Sequence, residues 1–133
     1  MYKKIVVPVD PEHDNSWRET VPIAIQHARQ SGGELLVTTV VPEIEANLRR
    51  TNESHQKALD EFVKDNIPED VTTQAILKKG SIHREICTLA KQTNADLIIV
   101  ASQNPRMKDR IVGSNASNIA QYAPCNVLVV RVK

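Results

Sequence analysis

The residues with the most chemical potential lie late in the chain, in ASQNPRMKDRIVGSNASNIAQYAPCNVLVV over 101–130. Gly113-Ser114-Asn115 has the form of a loop running into a helix, preceded by Arg106, Lys108 and Arg110. A helix starting there would turn unpaired N–H groups and the positive end of its dipole toward an anion. Gly113 would let the backbone approach a phosphate with no Cβ in the way. Ser114 could cap the helix and donate its hydroxyl, Asn115 and Ala116 could supply further amides, and the three basic residues could add charge. The plainer alternative is a helix cap with solvated lysine and arginine side chains, and the motif alone leaves both open. No lysine follows Gly113, so the GxxxxGK[ST] pattern is absent, and so is GxGxxG.

Asp10 is the second candidate. It follows an apolar run and could accept a hydrogen bond from a base or ribose, hold Mg²⁺, or simply cap its own loop. Asp10, Glu12, His13 and Asp14 crowd one turn, but their spacing matches no standard metal pattern and reads as a solvated acidic turn. His27, His55 and His83 fall on expected helices with no nucleophile or carboxylate at fixed spacing, and they read as surface residues. Cys87 and Cys125 form no CxxC motif and read as reduced packing residues; Cys125 has no helix N-terminus to lower its pKa. Nothing supplies an evident base to activate water on a γ-phosphate, so binding is better supported than hydrolysis, and no catalytic residue is assigned.

The elements that must position these residues alternate. Strands are expected at KKIVVPV (3–9), ELLVTTVV (34–41), VTTQAILKK (71–79), DLIIVAS (96–102) and NVLVVRV (126–132). Ser16-x-x-Glu19 resembles a capping box, yet a helix starting near Thr20 puts Pro22 in its first turn and ends at Gly32-Gly33. A second helix runs from about Asn47 or Asn52 to Asp65. Ser81 caps a third carrying Ile82, Ile86, Leu89 and Ala90, and Ser114 caps a fourth that ends at Pro124.

This alternation implies an α/β fold: an open five-stranded parallel sheet with helices on both faces, in one domain over 1–133. Right-handed crossovers and the most apolar strands, 3–9 and 96–102, at the centre give the order 3-2-1-4-5. The winding direction then reverses between the first and fourth strands. Ligands of open α/β sheets bind at such a point, off the carboxyl ends of the strands. Pro8-Val9-Asp10 and the loop from Ala101 to Ser114 lie there, for reasons independent of the motif. That placement favours binding over a bare cap.

Composition narrows the remaining classes. The chain has 133 residues, 41% hydrophobic and 25% charged, with a formal net charge of +1. A near-neutral chain offers no field for nucleic acid or anionic membrane, and its aromatics, Tyr2, Trp17, Phe62 and Tyr122, build no stacking platform. Ile5-Val6-Val7 stops at Pro8, too short for a signal h-region or a membrane span. No nucleic acid, no membrane and a cytoplasmic location are the expectations.

Three segments carry a resemblance: KKIVVPVD at the start, GSIHREICTLAKQTNADLIIVAS in the middle and GSNASNIAQYAPCNVLVVR at the end. In that order they resemble the universal stress protein family across essentially the whole chain. The resemblance implies the five-stranded Rossmann-like fold of the adenine nucleotide alpha hydrolase type with order 3-2-1-4-5. It also implies a cytoplasmic stress-response role and homodimers that pair their last strands, 126–132 here, antiparallel. In the nucleotide-binding branch a loop G-x2-G-x9-G-[ST] holds ATP, with or without Mg²⁺. By position, Gly113 and Ser114 match its final pair. The first two glycines fall on Ala101 and Asn104, and eight residues separate Asn104 from Gly113. Asn104 also precedes Pro105 and is restricted to extended conformations. The S-x-N-P stretch and GSNAS resemble the F and G subgroup, which shares the shortened loop. The resemblance further places Pro8, Val9 and Asp10 beside adenine and ribose, Val40 beside the base, and Ala101, Asn104, Gly113, Ser114, Asn115 and Ala116 in the phosphate loop; Ser102 and Arg106, in the same stretch, complete the candidate site. An edge strand as apolar as NVLVVRV needs a cover, which a symmetric partner would provide.

Overall fold

The structure, a computed structural model, describes residues 2–43, 52–102 and 110–132, with the backbone alone over 110–114. The expected alternation is present: β1 (Lys4–Pro8), a 3-10 turn (Asp14–Ser16), α1 (Thr20–Ser31), β2 (Glu34–Val41), α2 (Asn52–Asn66), β3 (Thr72–Lys79), α3 (Ile82–Thr93), β4 (Leu97–Ser102), α4 (Arg110–Tyr122) and β5 (Asn126–Arg131). The strands form one sheet in the order β3-β2-β1-β4-β5, with every pairing parallel.

The period of two along each strand sorts the core onto two faces. Ile5 and Val7, with Leu35, Val37, Leu97 and Ile99, join Val21, Ala24 and Ala28 of α1 and Leu59 and Phe62 of α2. On the opposite face Val6, Leu36, Ile98 and Val100 meet Ile86, Leu89 and Ala90 of α3 and Ala116 and Ile119 of α4. β1 and β4 are buried on both faces, which is why their sequences are continuous apolar runs rather than alternating ones. Each of Ile5, Ile98 and Ile99 is completely buried, and each contributes roughly 1.5–3 kcal/mol of transfer free energy. β3 and β5 form the edges, and neither strand holds a fully buried residue.

Helix boundaries follow local chemistry. α1 starts at Thr20, so Pro22 lies in the first turn, where its missing N–H costs nothing. The Ser16-x-x-Glu19 pattern is not used as a capping box: Glu19 holds the N-cap position without a side-chain cap. α1 ends at Gly32, which adopts the left-handed conformation with φ of 65° and bonds back to the Ala28 carbonyl. Ser81 holds the N-cap position of α3, but its hydroxyl contacts His83 Nδ1 at 3.3 Å instead of capping the helix.

One boundary corrects the sequence expectation. α4 begins at Arg110, not at Ser114. The apolar spacing of Ala116, Ile119, Ala120 and Ala123 extends backward to Val112, and a single glycine costs a helix only about 1 kcal/mol. Gly113 and Ser114 therefore continue the helix and do not open it. The second helix expected from about Asn47 or Asn52 is described from Asn52 onward.

Candidate functional site

β1 and β4 lie side by side, with β1 winding away toward β2 and β4 toward β5. The chain beyond β1 is fastened to the β2 side. Val9 N–H donates to the Thr38 carbonyl at 2.9 Å, and Thr39 Oγ1 donates to the Val9 carbonyl at 3.0 Å. The β1–β4 register couples Ile5 with Leu97 and Val6 with Ile98, whereas the β1–β2 register continues as far as Pro8 with Thr38. Beyond Val6, β1 keeps to its β2 neighbour, and the two windings part at the carboxyl ends of β1 and β4, where doubly wound sheets have their crevice. This is the position at which an open α/β sheet takes its ligand.

Asp10 stands at this edge, and its surroundings decide what it can do. Oδ1 accepts the Glu12 N–H at 3.1 Å, and Oδ2 lies 2.8 Å from His13 Nδ1. The backbone closes the same turn: His13 N–H donates to the Asp10 carbonyl at 2.9 Å. Ser16, which is buried, ties the turn from within. Its Oγ accepts the Asp10 N–H at 2.8 Å and lies 2.7 Å from the His13 carbonyl. Asp10 thus caps its own loop, as one of its sequence readings allowed. An ionised carboxylate has about four lone-pair positions, so acceptor capacity remains on both oxygens.

The other sequence candidates are distributed as follows. Pro8 ends β1 half-buried and Val9 is buried. Val40 is half-buried on β2 and packs on the face covered by α3 and α4. Ala101 is buried and in register with Val130, and Ser102 ends β4 with its carbonyl accepting the Val132 N–H at 2.9 Å. Asn104, Arg106 and Lys108 lie outside the described residues. Gly113 and Ser114 sit within α4, Asn115 is half-buried, and Ala116 is buried in the core. With Arg110 already helical, the amides of Asn115 and Ala116 fall within the i→i−4 ladder of α4.

Remaining reactive groups are structural. His27, His55 and His83 are half-buried rather than on the surface. His27 meets Tyr2 edge-on at 5.9 Å, and among the described residues His55 Nε2 is buried without a hydrogen-bond partner, as are Trp17 Nε1 and Glu19 Oε2. Their amphipathic rings let them serve helix faces that sequence spacing alone assigned to solvent. Burial pushes the Cys87 and Cys125 thiols above their ordinary value. Among the described residues no group of three His, Cys, Asp or Glu side chains could hold a metal ion, and no helix is long and apolar enough to cross a membrane.

The fold defines an open, doubly wound α/β protein with its switch point between β1 and β4. The sequence profile of the universal stress protein family matches residues 1–131. Universal stress protein G of Shigella flexneri is 30% identical over 98% of this chain and 100% of its own length. Among solved structures, a universal stress protein in complex with cAMP aligns with a TM-score of 0.72 at 23% identity, covering 99% of this chain and 98% of its own. The universal stress protein of Archaeoglobus fulgidus in complex with dAMP aligns with a TM-score of 0.72 at 22% identity, covering 96% and 97%. The chain belongs to the universal stress protein family.

Proposed function

We propose that this protein binds an adenine nucleotide, ATP with or without Mg²⁺, in the β1/β4 crevice and acts as a homodimeric, nucleotide-responsive module of a cytoplasmic stress response. The observation that carries the reading is the β1/β4 switch point, with the Asp10 carboxylate beyond the end of β1 and α4 following β4. A carboxylate suits the hydroxyl donors of a ribose, the half-buried Val40 suits a base, and a helix N-terminus suits phosphate. Solved relatives in complex with cAMP and dAMP support an adenine nucleotide as the ligand class. Arg106 and the N-terminal end of α4 complete the proposed phosphate site. The residues present supply no evident base for hydrolysis, so the protein reads as a binder before an enzyme; slow ATP hydrolysis or phosphoryl transfer is the enzymatic alternative.

A second reading, a nucleotide-free interaction dimer, is favoured by Ala101 and Asn104, where the family loop has glycines, and by the course of α4 through Gly113 and Ser114. Titration of nucleotide-stripped protein with ATP separates the two. Saturable binding that Gly113→Val abolishes, with the far-ultraviolet spectrum unchanged, is expected, because a Cβ there would crowd a bound phosphate. Equal affinity in a folded Gly113→Val protein would remove Gly113 from the site.

The dimer is proposed to pair β5 with its symmetry mate. β5 has one strand neighbour, β4, and Val129 on it is 40% exposed, while Tyr122 at the end of α4 is 64% exposed. These are the large apolar side chains that the described surface leaves uncovered, and both belong to the β5 end of the sheet.

A further inference from the structure

His13 belongs to an acidic turn, and its ring nitrogen Nδ1 lies 2.8 Å from Asp10 Oδ2. An ionised carboxylate can only accept, so Nδ1 carries the proton in this contact. Oδ1 is meanwhile engaged by the Glu12 amide at 3.1 Å. Each carboxylate oxygen therefore has one direction filled by the loop, which removes the free rotation that an exposed aspartate otherwise retains. The loop can hold this geometry because its own backbone is closed. The Asp10 and His13 main chains bond to one another and both contact the buried Ser16 hydroxyl.

We propose that His13 is a positioning residue, which fixes the Asp10 carboxylate so that its remaining lone pairs meet the ribose hydroxyls of the bound nucleotide. This rests on the nucleotide reading above and adds to it a specificity device. A pre-oriented acceptor loses less freedom on binding than a mobile one, and it rewards a ligand that brings hydroxyl donors. His13 does not touch the ligand; it acts through Asp10.

The test uses nucleotide-free protein, isothermal titration and two probes, ATP and 2′,3′-dideoxy-ATP, which lacks both ribose hydroxyls. Three proteins are compared: wild type, His13→Ala and His13→Asn. Asparagine places its Nδ2 donor as many bonds from Cα as the histidine Nδ1, so it can restore the contact. His13→Ala is expected to weaken ATP binding about tenfold, the scale of one charge-assisted hydrogen bond, and to leave dideoxy-ATP binding unchanged. His13→Asn is expected to bind ATP within about twofold of wild type. The unchanged dideoxy-ATP affinity also certifies that the site is folded. Wild-type affinity for ATP in His13→Ala, an equal loss for both probes, or failure of asparagine to restore binding would each overturn the role of His13. If the wild-type protein binds neither probe, the nucleotide reading itself falls, a result distinct from all three.

Discussion

A Cβ placed on Gly33 would stand 2.6 Å from the carbonyl oxygen of Tyr2, and 2.8 Å from that of Lys3. Both obstacles are backbone atoms of the segment entering β1, the strand that runs to the proposed site. Gly33 is required here by close approach and not by an unusual dihedral, in contrast to the left-handed Gly32 beside it. Gly33→Ala is expected to destabilise the protein by about 1–3 kcal/mol, because β1 and β2 must separate to admit the methyl group. Urea unfolding checks this, with an unchanged m-value and a lowered midpoint as the expected result.

At the other side of β1, a single oxygen of Asp96 accepts two backbone amides, Lys3 N–H at 2.9 Å and Lys4 N–H at 3.0 Å. These bonds latch the amino end of β1 to β4, whose ladder with β1 is otherwise short. Asp96→Ala is expected to cost about 2 kcal/mol and Asp96→Asn less, since an amide oxygen still accepts while lacking the charge. The same unfolding measurement distinguishes the pair. Equal stability of all three proteins would show that the latch contributes nothing.

The two thiols give a pH dependence with a definite sign. Burial raises Cys87, and burial followed by the negative charges of Cys87 and Asp96 raises Cys125, both from an ordinary value of 9.0. A raised folded value means stability that is complete below the unfolded thiol pKa and is lost as pH rises through the folded values. Stability should therefore be level through neutral pH and decline above about 9, where the unfolded chain ionises first. Cys87→Ala/Cys125→Ala protein should show a shallower alkaline decline in melting temperature. Native protein should also be alkylated by iodoacetamide much more slowly than unfolded protein at the same pH, since the thiolate is the nucleophile.

Val129 tests the proposed dimer without touching the crevice. Val129→Glu would place a charge on each copy of a two-fold β5 contact, and like charges brought together across such an edge repel. Light scattering is expected to report a monomer for the variant and a dimer for the wild type. Stability of the isolated fold should change by no more than about 0.5 kcal/mol, as for other surface substitutions. A variant that remains dimeric would place the interface elsewhere.

Much of this molecule was legible in its residues, for reasons that differ from one element to the next. Ile5 to Val7 and Leu97 to Val100 are apolar without alternation, which only a strand covered on both faces explains, and their central places set the topology. Pro22 and Gly32 marked the ends of α1 because each has one backbone role it fills well. The start of α4 was misread at Ser114 because a Gly-Ser pair signals a cap strongly, while the weaker evidence of Val112 in the helical spacing prevailed in the fold. Ser16-x-x-Glu19 has the form of a capping box, which a start near Thr20 displaces, but nothing in the spacing shows that the Ser16 hydroxyl binds the Asp10 loop. The Asp10–His13 contact was not legible for the same reason: it depends on how a loop closes, and a loop has no periodicity to read. The half-burial of His27, His55 and His83 came from tertiary packing that spacing along one helix does not encode.

The central claim is that an adenine nucleotide occupies the β1/β4 crevice, and its most direct test is the content of freshly purified protein. The protein is denatured and the supernatant resolved by anion exchange. Near-stoichiometric ATP is the predicted result, and it would mean that the shortened loop binds and barely hydrolyses. Recovery of ADP or AMP instead would shift the account toward a slow hydrolase. Empty protein that also fails to bind added Mg-ATP would contradict the claim and leave the chain as an interaction dimer.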